Sequence, residues 1–231
     1  MRAPTQAELL ALWEAGRSLE ALDRGALAAS VASGSEDAAD WPLGKRNRAL
    51  AQLHCTAFGG RLQGWTSCPE CSERLEFTFD GRAVANAPPA ERSLVAVNEW
   101  RFRLPTSRDL ADAAEEESDL AASRRLLVAC WAGSGPAPAD WSEEDLSLVG
   151  ERLAEADPLS EIRLHFDCPS CPASFDESLD LGDFVWAKVE SHAKRLLGEV
   201  HSLASAYGWS EAEILALSPA RRGAYLDLAR P

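Results

Sequence analysis

The chain has 231 residues, 46% of them hydrophobic, and a formal net charge of −14. A chain of this length can bury an ordinary core without disulfide bonds. A membrane-spanning helix needs about 18 consecutive apolar residues, and no stretch of the sequence comes near this length. The first thirty residues lack a signal-peptide pattern. We therefore expect a soluble, cytoplasmic protein of one or two compact domains.

The N-terminal part, residues 1–60, has the pattern of three helices. In "TQAELLALWEAG", Thr5 precedes an apolar-periodic run and Glu8 follows three residues later, which predicts a capping box. The stretches "SLEALDRGALAAS" and "PLGKRNRALAQLHCTAFGG" predict two more helices, the last stopped by Gly59 and Gly60.

From Arg61 the apolar period changes to two. In "RLQGWTSCPECSERLEFTFDG", Leu75, Phe77 and Phe79 alternate with polar residues, which indicates a short β-ribbon with a tight cysteine turn. The stretch "SLVAVNEWRFRLP" alternates in the same way and predicts another strand that ends at Pro105. We expect this strand to lie beside the earlier ones.

A helical, acidic insertion is predicted at about 106–157. The stretch "TSRDLADAAEEESDLAASRRLLVACWAG" predicts a helix capped by Thr106 or Ser107, a loop follows at "GSGPAPAD", and "WSEEDLSLVGERLAEAD" predicts a second capped helix. Residues 107–180 contain 18 acidic and 5 basic residues, a net charge of −13. Such an acidic surface disfavours binding to phosphate backbones, and a solvated face that aids solubility is the simplest interpretation.

The last fifty residues carry the clearest helical signal. Apolar residues recur at spacings of three and four from Trp186 to Tyr207, which predicts an amphipathic helix. Gly208 can end it, and Ser210 with Glu213 forms a capping box for the next helix. "SPARRGAYLDLA" predicts a final helix.

Two Cys-x-x-Cys pairs are the strongest chemical signal. "EIRLHFDCPSC" predicts a strand that leads to the second pair, so both pairs occur at strand-associated turns. This spacing lets one turn aim two sulfurs at one ion, and two such turns supply the four thiolates of a tetrahedral zinc site. The predicted ligands are Cys68, Cys71, Cys168 and Cys171. Four thiolates leave no open position on zinc, so the predicted site is structural.

Alternatives to this site remain open from the residues alone. Ser72 and Pro172 stand where such turns often need a residue with positive φ, and proline cannot adopt it, so the second turn is expected to be distorted. Four unmetallated thiols are the competing interpretation. His165 could replace a ligand, although a strand histidine facing solvent or an acidic neighbour is the simpler reading. Cys55 and Cys130 are predicted to be small buried hydrophobes.

Other residues give little sign of catalysis. The remaining histidines, His54, His192 and His201, fall in predicted helices without a recognisable nucleophile motif. The sequence has no glycine-rich phosphate loop. A thiol–disulfide enzyme would need a cysteine at a helix N-terminus, and the stretch after Cys171 is not obviously helical. We therefore expect a protein that is not an enzyme and has no small-molecule substrate.

The C-terminal stretch "LLGEVHSLASAYGWSEAEILALSPARRGAYLDL" resembles the end of baseplate hub assembly chaperone-like proteins of T-even-type phages and related contractile injection systems. The resemblance is good over about forty residues. "RLPTSRDL", "ADPLSEIRLHFDCPSC" and "DLGDFVWAKVESHAKRLL" look like a bacterial branch of that family with paired cysteines. Residues 1–60 carry no such resemblance.

The resemblance implies a non-enzymatic assembly chaperone or adaptor whose partner is a baseplate or hub protein of a contractile tail. Tyr, Trp and Arg dominate interface energetics, so the predicted partner contacts are Trp209, Arg221, Arg222 and Tyr225. The competing interpretation is that these side chains close the helices onto their own core. A nucleic-acid-associated zinc-ribbon regulator is the alternative function.

Together these patterns predict an α+β protein with a split zinc-ribbon-like β core. Its expected parts are an N-terminal helical segment (1–60), the core with its acidic insertion (61–181) and a C-terminal helical tail (182–231).

Overall fold

The computed structural model describes residues 2–35, 38–138 and 141–229. The predicted loop at 133–140 therefore lies partly outside the described residues. The helices are α1 (Gln6–Gly16), α2 (Ala21–Ser33), α3 (Leu43–Ala57), α4 (Gly81–Ala85), α5 (Ser107–Ala113), α6 (Asp119–Cys130), α7 (Glu143–Ala156), α8 (Leu181–Tyr207), α9 (Glu211–Ala216) and α10 (Pro219–Ala229). The strands are β1 (Arg61–Ser67), β2 (Arg74–Asp80), β3 (Leu94–Val97), β4 (Trp100–Arg103), β5 (Arg163–Asp167) and β6 (Ser174–Ser178). The predicted α+β class is confirmed.

Each strand pairs with its sequence neighbour, giving three antiparallel hairpins in separate two-stranded sheets within the described ranges. We call β1–β2 the first hairpin and β5–β6 the second hairpin. The expectation that "SLVAVNEWRFRLP" forms one strand beside the earlier ones is wrong. Asn98 takes φ of 53°, the chain turns there, and β3 pairs with β4 instead. A period-two pattern that continues on both sides of a two-residue turn conceals the turn.

The main core lies between the N-terminal helices and the start of α8. It joins Leu12 of α1, Leu50 and Leu53 of α3, and Val185 and Val189 of α8. The segments predicted as 1–60 and 182–231 therefore share one hydrophobic core, because the apolar stripe of α8 needs the N-terminal helices to cover it. Farther along α8, Leu196 packs against α1, and Leu203 packs against Ile214 of α9. Among the described helices, none combines the length and the apolarity that crossing a bilayer requires.

The insertion has a core of its own. Val95, Val97 and Phe102 of the β3–β4 hairpin pack with residues of α6 and α7, such as Leu127 and Val149. The insertion thus starts before β3, earlier than the predicted boundary at about 106. The single helix predicted from Thr106 is also interrupted: it is two helices, because Ser118 accepts a bond from the Ala121 N–H and starts α6 afresh.

The insertion meets the main core at the N-terminus of α3. The Gly44 N–H donates to Asp157 Oδ2 over 2.8 Å, so a carboxylate 113 residues away caps α3. The buried Arg46 guanidinium donates to Ser107 Oγ over 3.0 Å and to Asn47 Oδ1. Burial lowers the pKa of Arg46 and raises the pKa of Asp157. These polar contacts tie both ends of the insertion to α3.

Candidate metal centre

The two Cys-x-x-Cys pairs occupy equivalent places in the first and second hairpins. β1 ends at the residue directly before Cys68, and β5 ends at the residue directly before Cys168. An equivalent backbone bond closes both turns: the Cys68 N–H donates to Glu73 O over 2.8 Å, and the Cys168 N–H donates to Ala173 O over 2.9 Å. The strands therefore hold both pairs at hairpin tips.

The turns differ at the residue after the second cysteine. Ser72 has φ of 61°, and its N–H donates to Cys68 O over 2.9 Å. Pro172 has no N–H, so the second turn lacks the counterpart of that bond. The expected distortion of the second turn is limited to this loss, since its closing bond and both sulfur positions are kept.

The four sulfurs form one compact cluster, which we call the sulfur cluster. Cys68 Sγ lies 3.7 Å from Cys171 Sγ, and Cys71 Sγ lies 3.5 Å from Cys168 Sγ. All four ligand atoms lie within 4.8 Å of one another. A disulfide needs about 2.05 Å between sulfurs, so the four thiols are free. The predicted meeting of these cysteines is confirmed.

The spacing fits a metal ion. A tetrahedral site with metal–sulfur bonds of about 2.3 Å has sulfur–sulfur edges of about 3.8 Å. Two sulfur pairs are 3.5 and 3.7 Å apart and all pairs lie within 4.8 Å, so a shift of each sulfur by less than about 1 Å would match these edges. The cysteines could hold such an ion on all four sides.

Backbone N–H groups and neighbouring thiols set the protonation of the cluster. N–H groups of Cys71 and Glu70 point at the Cys68 sulfur and lower the pKa of Cys68 to about 7. At Cys71 the Glu73 N–H acts in the same direction, but burial and the other sulfurs outweigh it and raise the pKa to about 12. Four adjacent thiolates repel one another, so complete ionisation requires a cation among them.

Further contacts join the two hairpins around the cluster. Ser170 Oγ donates to Glu73 Oε2 over 2.8 Å, and Thr66 Oγ1 donates to Glu177. The rings of Phe77 and Phe166 meet edge to face, with centroids 5.6 Å apart. Ser170 and Glu73 flank the cysteines in sequence, yet nothing in their spacing reveals that they pair.

His165 lies outside the sulfur cluster. Its Nδ1 is 2.7 Å from Asp176 Oδ1, across the second hairpin, and its side chain is 63% exposed. The bond to Asp176 raises the pKa of His165. The prediction of a strand histidine beside an acidic neighbour is confirmed. Cys130 is fully buried, as predicted, and Cys55 is half-buried against the main core.

The predicted partner residues form a second group at the far end of α8. The rings of Tyr207 and Trp209 stack with centroids 4.7 Å apart, and Tyr225 meets Trp209 edge to face at 4.9 Å. Arg221 is exposed. Arg222 is buried: its Nε donates to Glu199 Oε2 over 2.9 Å, and its Nη1 donates to Leu217 O over 2.7 Å.

Arg222 therefore bonds inside the protein, as the core-closing interpretation expects, and it is not available to a partner as the chain stands. Sequence reasoning missed Glu199 as its counterion. Glu199 also lies 3.9 Å from Arg195, its i, i+4 neighbour on α8.

Comparison with protein-family models, curated proteins and solved structures gives no match to this chain.

Proposed function

We propose that the sulfur cluster binds one zinc ion and that this ion is structural. The support is the donor set: four cysteine sulfurs within 4.8 Å of one another suit zinc, and as four thiolate ligands they would leave it no open coordination position for a substrate. The ion would brace two hairpins that stand 97 residues apart in the chain. Two hairpins joined in this way amount to a zinc ribbon split by the insertion.

On this braced frame, the proposed function is that of a non-enzymatic adaptor that assists assembly of the baseplate or hub of a phage-like contractile tail. The observation that carries the binding role is the aromatic group of Tyr207, Trp209 and Tyr225, which is partly open to solvent. Beside it on α10, Leu228 is 76% exposed. The choice of a baseplate partner rests on the sequence resemblance of this same C-terminal stretch.

The metal is tested by elemental analysis of the purified protein. One zinc per chain is expected, and the ratio should fall to near zero in a Cys71→Ser, Cys168→Ser variant. Iron at the same ratio would contradict the zinc assignment, and the absence of any metal would refute the site.

The adaptor role is tested by capture from cells that co-express this chain with the proteins of a contractile tail. We expect a baseplate or hub protein to be retained, and Leu228→Asp to reduce its recovery at least tenfold. Because Leu228 is so exposed, this change should leave the melting temperature unchanged. Leu120→Asp, a similar change at an exposed position of α6, is the matched control. Equal recovery with both variants would refute the C-terminal surface as the contact.

A further inference from the structure

The four thiols of the sulfur cluster can pair as disulfides in three ways. Both bonds can form inside the turns, or both can form between the two hairpins in either of two registers. The two sulfur–sulfur hydrogen bonds within these four residues belong to a single register. They join Cys71 to Cys168 over 3.5 Å and Cys68 to Cys171 over 3.7 Å. The folded chain thus favours a pairing between the hairpins, which the Cys-x-x-Cys spacing does not suggest.

Contacts that use no sulfur hold the hairpins in this register. Ser170, in the second turn, donates from its Oγ to Glu73 Oε2 over 2.8 Å and joins the two tips. Farther from the tips, the rings of Phe77 and Phe166 meet edge to face with centroids 5.6 Å apart. Because neither contact involves a metal ligand, both can keep the thiols of the two hairpins adjacent without an ion.

The four sulfurs differ in their access to solvent. Cys71 is exposed, Cys68 is buried, and Cys168 and Cys171 are half-buried. An oxidant in solution therefore meets Cys71 first, and Cys168 lies 3.5 Å away as a resolving thiol. A disulfide needs about 2.05 Å between sulfurs, so this pair must approach by about 1.5 Å, which side-chain rotation can supply.

We propose that the sulfur cluster is a site of oxidative modification. A hydroperoxide converts its four thiols to two disulfides between the hairpins, Cys71–Cys168 and Cys68–Cys171. This inference goes beyond the zinc proposal and does not need an ion, since it uses only the placement of the thiols. Oxidation and metal binding exclude each other, because an ion needs the same four sulfurs as thiolates.

The chemistry balances with one hydroperoxide for each disulfide. The Cys71 sulfur attacks the terminal oxygen of the hydroperoxide, the O–O bond breaks, and the alcohol leaves with the thiol proton. The Cys168 sulfur then attacks the sulfenic acid on Cys71, the S–S bond forms, the S–O bond breaks, and water leaves with the second proton. Each sulfur loses one electron and the hydroperoxide gains two. A second hydroperoxide oxidises Cys68 and Cys171 in the same way.

Disulfides in this register would preserve the junction of the two hairpins after an ion has left. Cys71 and Cys168 stand 97 residues apart in the chain, and a crosslink that closes so long a loop restricts the unfolded state. We therefore expect the oxidised protein to melt at a higher temperature than the reduced protein in the presence of a chelator. Disulfides inside the turns would leave the junction to the noncovalent contacts alone, and they predict no such rise.

The pairing is tested by treating the purified full-length protein with hydrogen peroxide in the presence of a metal chelator. Alkylation of the remaining thiols and tryptic mapping without reduction follow. Trypsin cleaves outside both Cys-x-x-Cys pairs and leaves them in two peptides, residues 62–74 and 164–188. We expect these peptides to be recovered as one disulfide-linked species. Separate peptides, each lighter by two hydrogens, would overturn the inference, as would disulfide-linked dimers of the chain.

Two double variants test the register. Cys68→Ser with Cys171→Ser keeps the pair at 3.5 Å, whereas Cys68→Ser with Cys168→Ser is the matched control with one serine on each hairpin. The first should form its crosslink at least tenfold faster than the second, with the same circular dichroism. Equal rates would overturn the register. The zinc content of the untreated protein is measured separately, so failure of the zinc proposal and failure of this inference are distinguishable.

Discussion

Replacing Arg222 by alanine tests whether this arginine belongs to the core. Its side chain is 3% exposed and makes two bonds, to the Glu199 carboxylate at 2.9 Å and to the Leu217 carbonyl at 2.7 Å. Removing one partner of a fully buried ion pair costs about 3–5 kcal/mol. Glu199 is 22% exposed and keeps Arg195 at 3.9 Å, which lessens the penalty. Loss of the bond to the Leu217 carbonyl increases the destabilisation, since hydrogen bonds to charged groups contribute about 1.5–3 kcal/mol.

We therefore expect Arg222→Ala to lower the free energy of unfolding by about 3 kcal/mol, toward the lower end of the range for buried pairs. For a chain of this size that corresponds to a fall of about 6–12 °C in melting temperature. Urea denaturation of the purified protein measures this loss, as a lower midpoint with an unchanged m-value.

The neighbouring arginine supplies the matched control. Arg221 is exposed, and Arg221→Ala should change stability by no more than about 0.5 kcal/mol. A second variant, Glu199→Leu with Arg222→Met, removes both charges and should recover part of the loss. If Arg222→Ala were as stable as Arg221→Ala, the stabilising role of the Arg222–Glu199 pair would be refuted. The prediction that Arg222 contacts a partner protein would then stand again.

If the sulfur cluster binds a metal ion, a chelator at neutral pH should lower the melting temperature, because an ion at a free concentration of about a thousand times its Kd stabilises the fold by about 4 kcal/mol. A melting temperature that neither chelator nor added zinc changes would contradict this prediction. Burial lowers the pKa of His54 below 6.5, so the folded protein resists its protonation more than the unfolded chain does. The stability that neutral His54 contributes is complete above pH 6.5 and is lost as the pH falls below that value. The urea midpoint should therefore fall less between pH 7.5 and 5.5 for His54→Leu than for the unchanged protein. An equal fall would exclude protonation of His54 as a cause of the pH dependence. A Cβ at Gly44 would overlap the Asp157 carboxylate, so Gly44→Ala should cost about 2 kcal/mol or more through the lost cap. Gly150→Ala, with open space around it, should instead stabilise α7 by about 0.5–1 kcal/mol, and similar effects of the two changes would argue against the Asp157 cap.

Helix starts were readable from sequence because they are local. The Thr5–Glu8 and Ser210–Glu213 capping boxes were predicted and are present. Gly208 takes φ of 70° and ends α8, as predicted. Each feature depends on residues within four positions of one another, so the rest of the fold has little influence on it.

The β structure was predicted less well, because strand pairing is not local. The alternation over residues 93–105 correctly indicated β structure, but it did not show that Asn98 divides it into a hairpin. Nor did it show that this hairpin packs with α6 and α7, away from the cysteine hairpins. The apolar face of the β3–β4 hairpin could pack against the cysteine hairpins or against α6 and α7, and the strand pattern does not distinguish these two arrangements.

The chemistry of the candidate metal site follows from residue types and spacing, since two residues between cysteines let one turn aim both sulfurs at a single ion. The sequence alone thus determined the four sulfur donors and most helix ends. Only the tertiary structure decided the rest: the burial of Arg222 against Glu199, the Asp157 cap on α3 and the packing of the β3–β4 hairpin with α6 and α7. Each of these depends on which distant segments pack together, and a local pattern does not encode that choice.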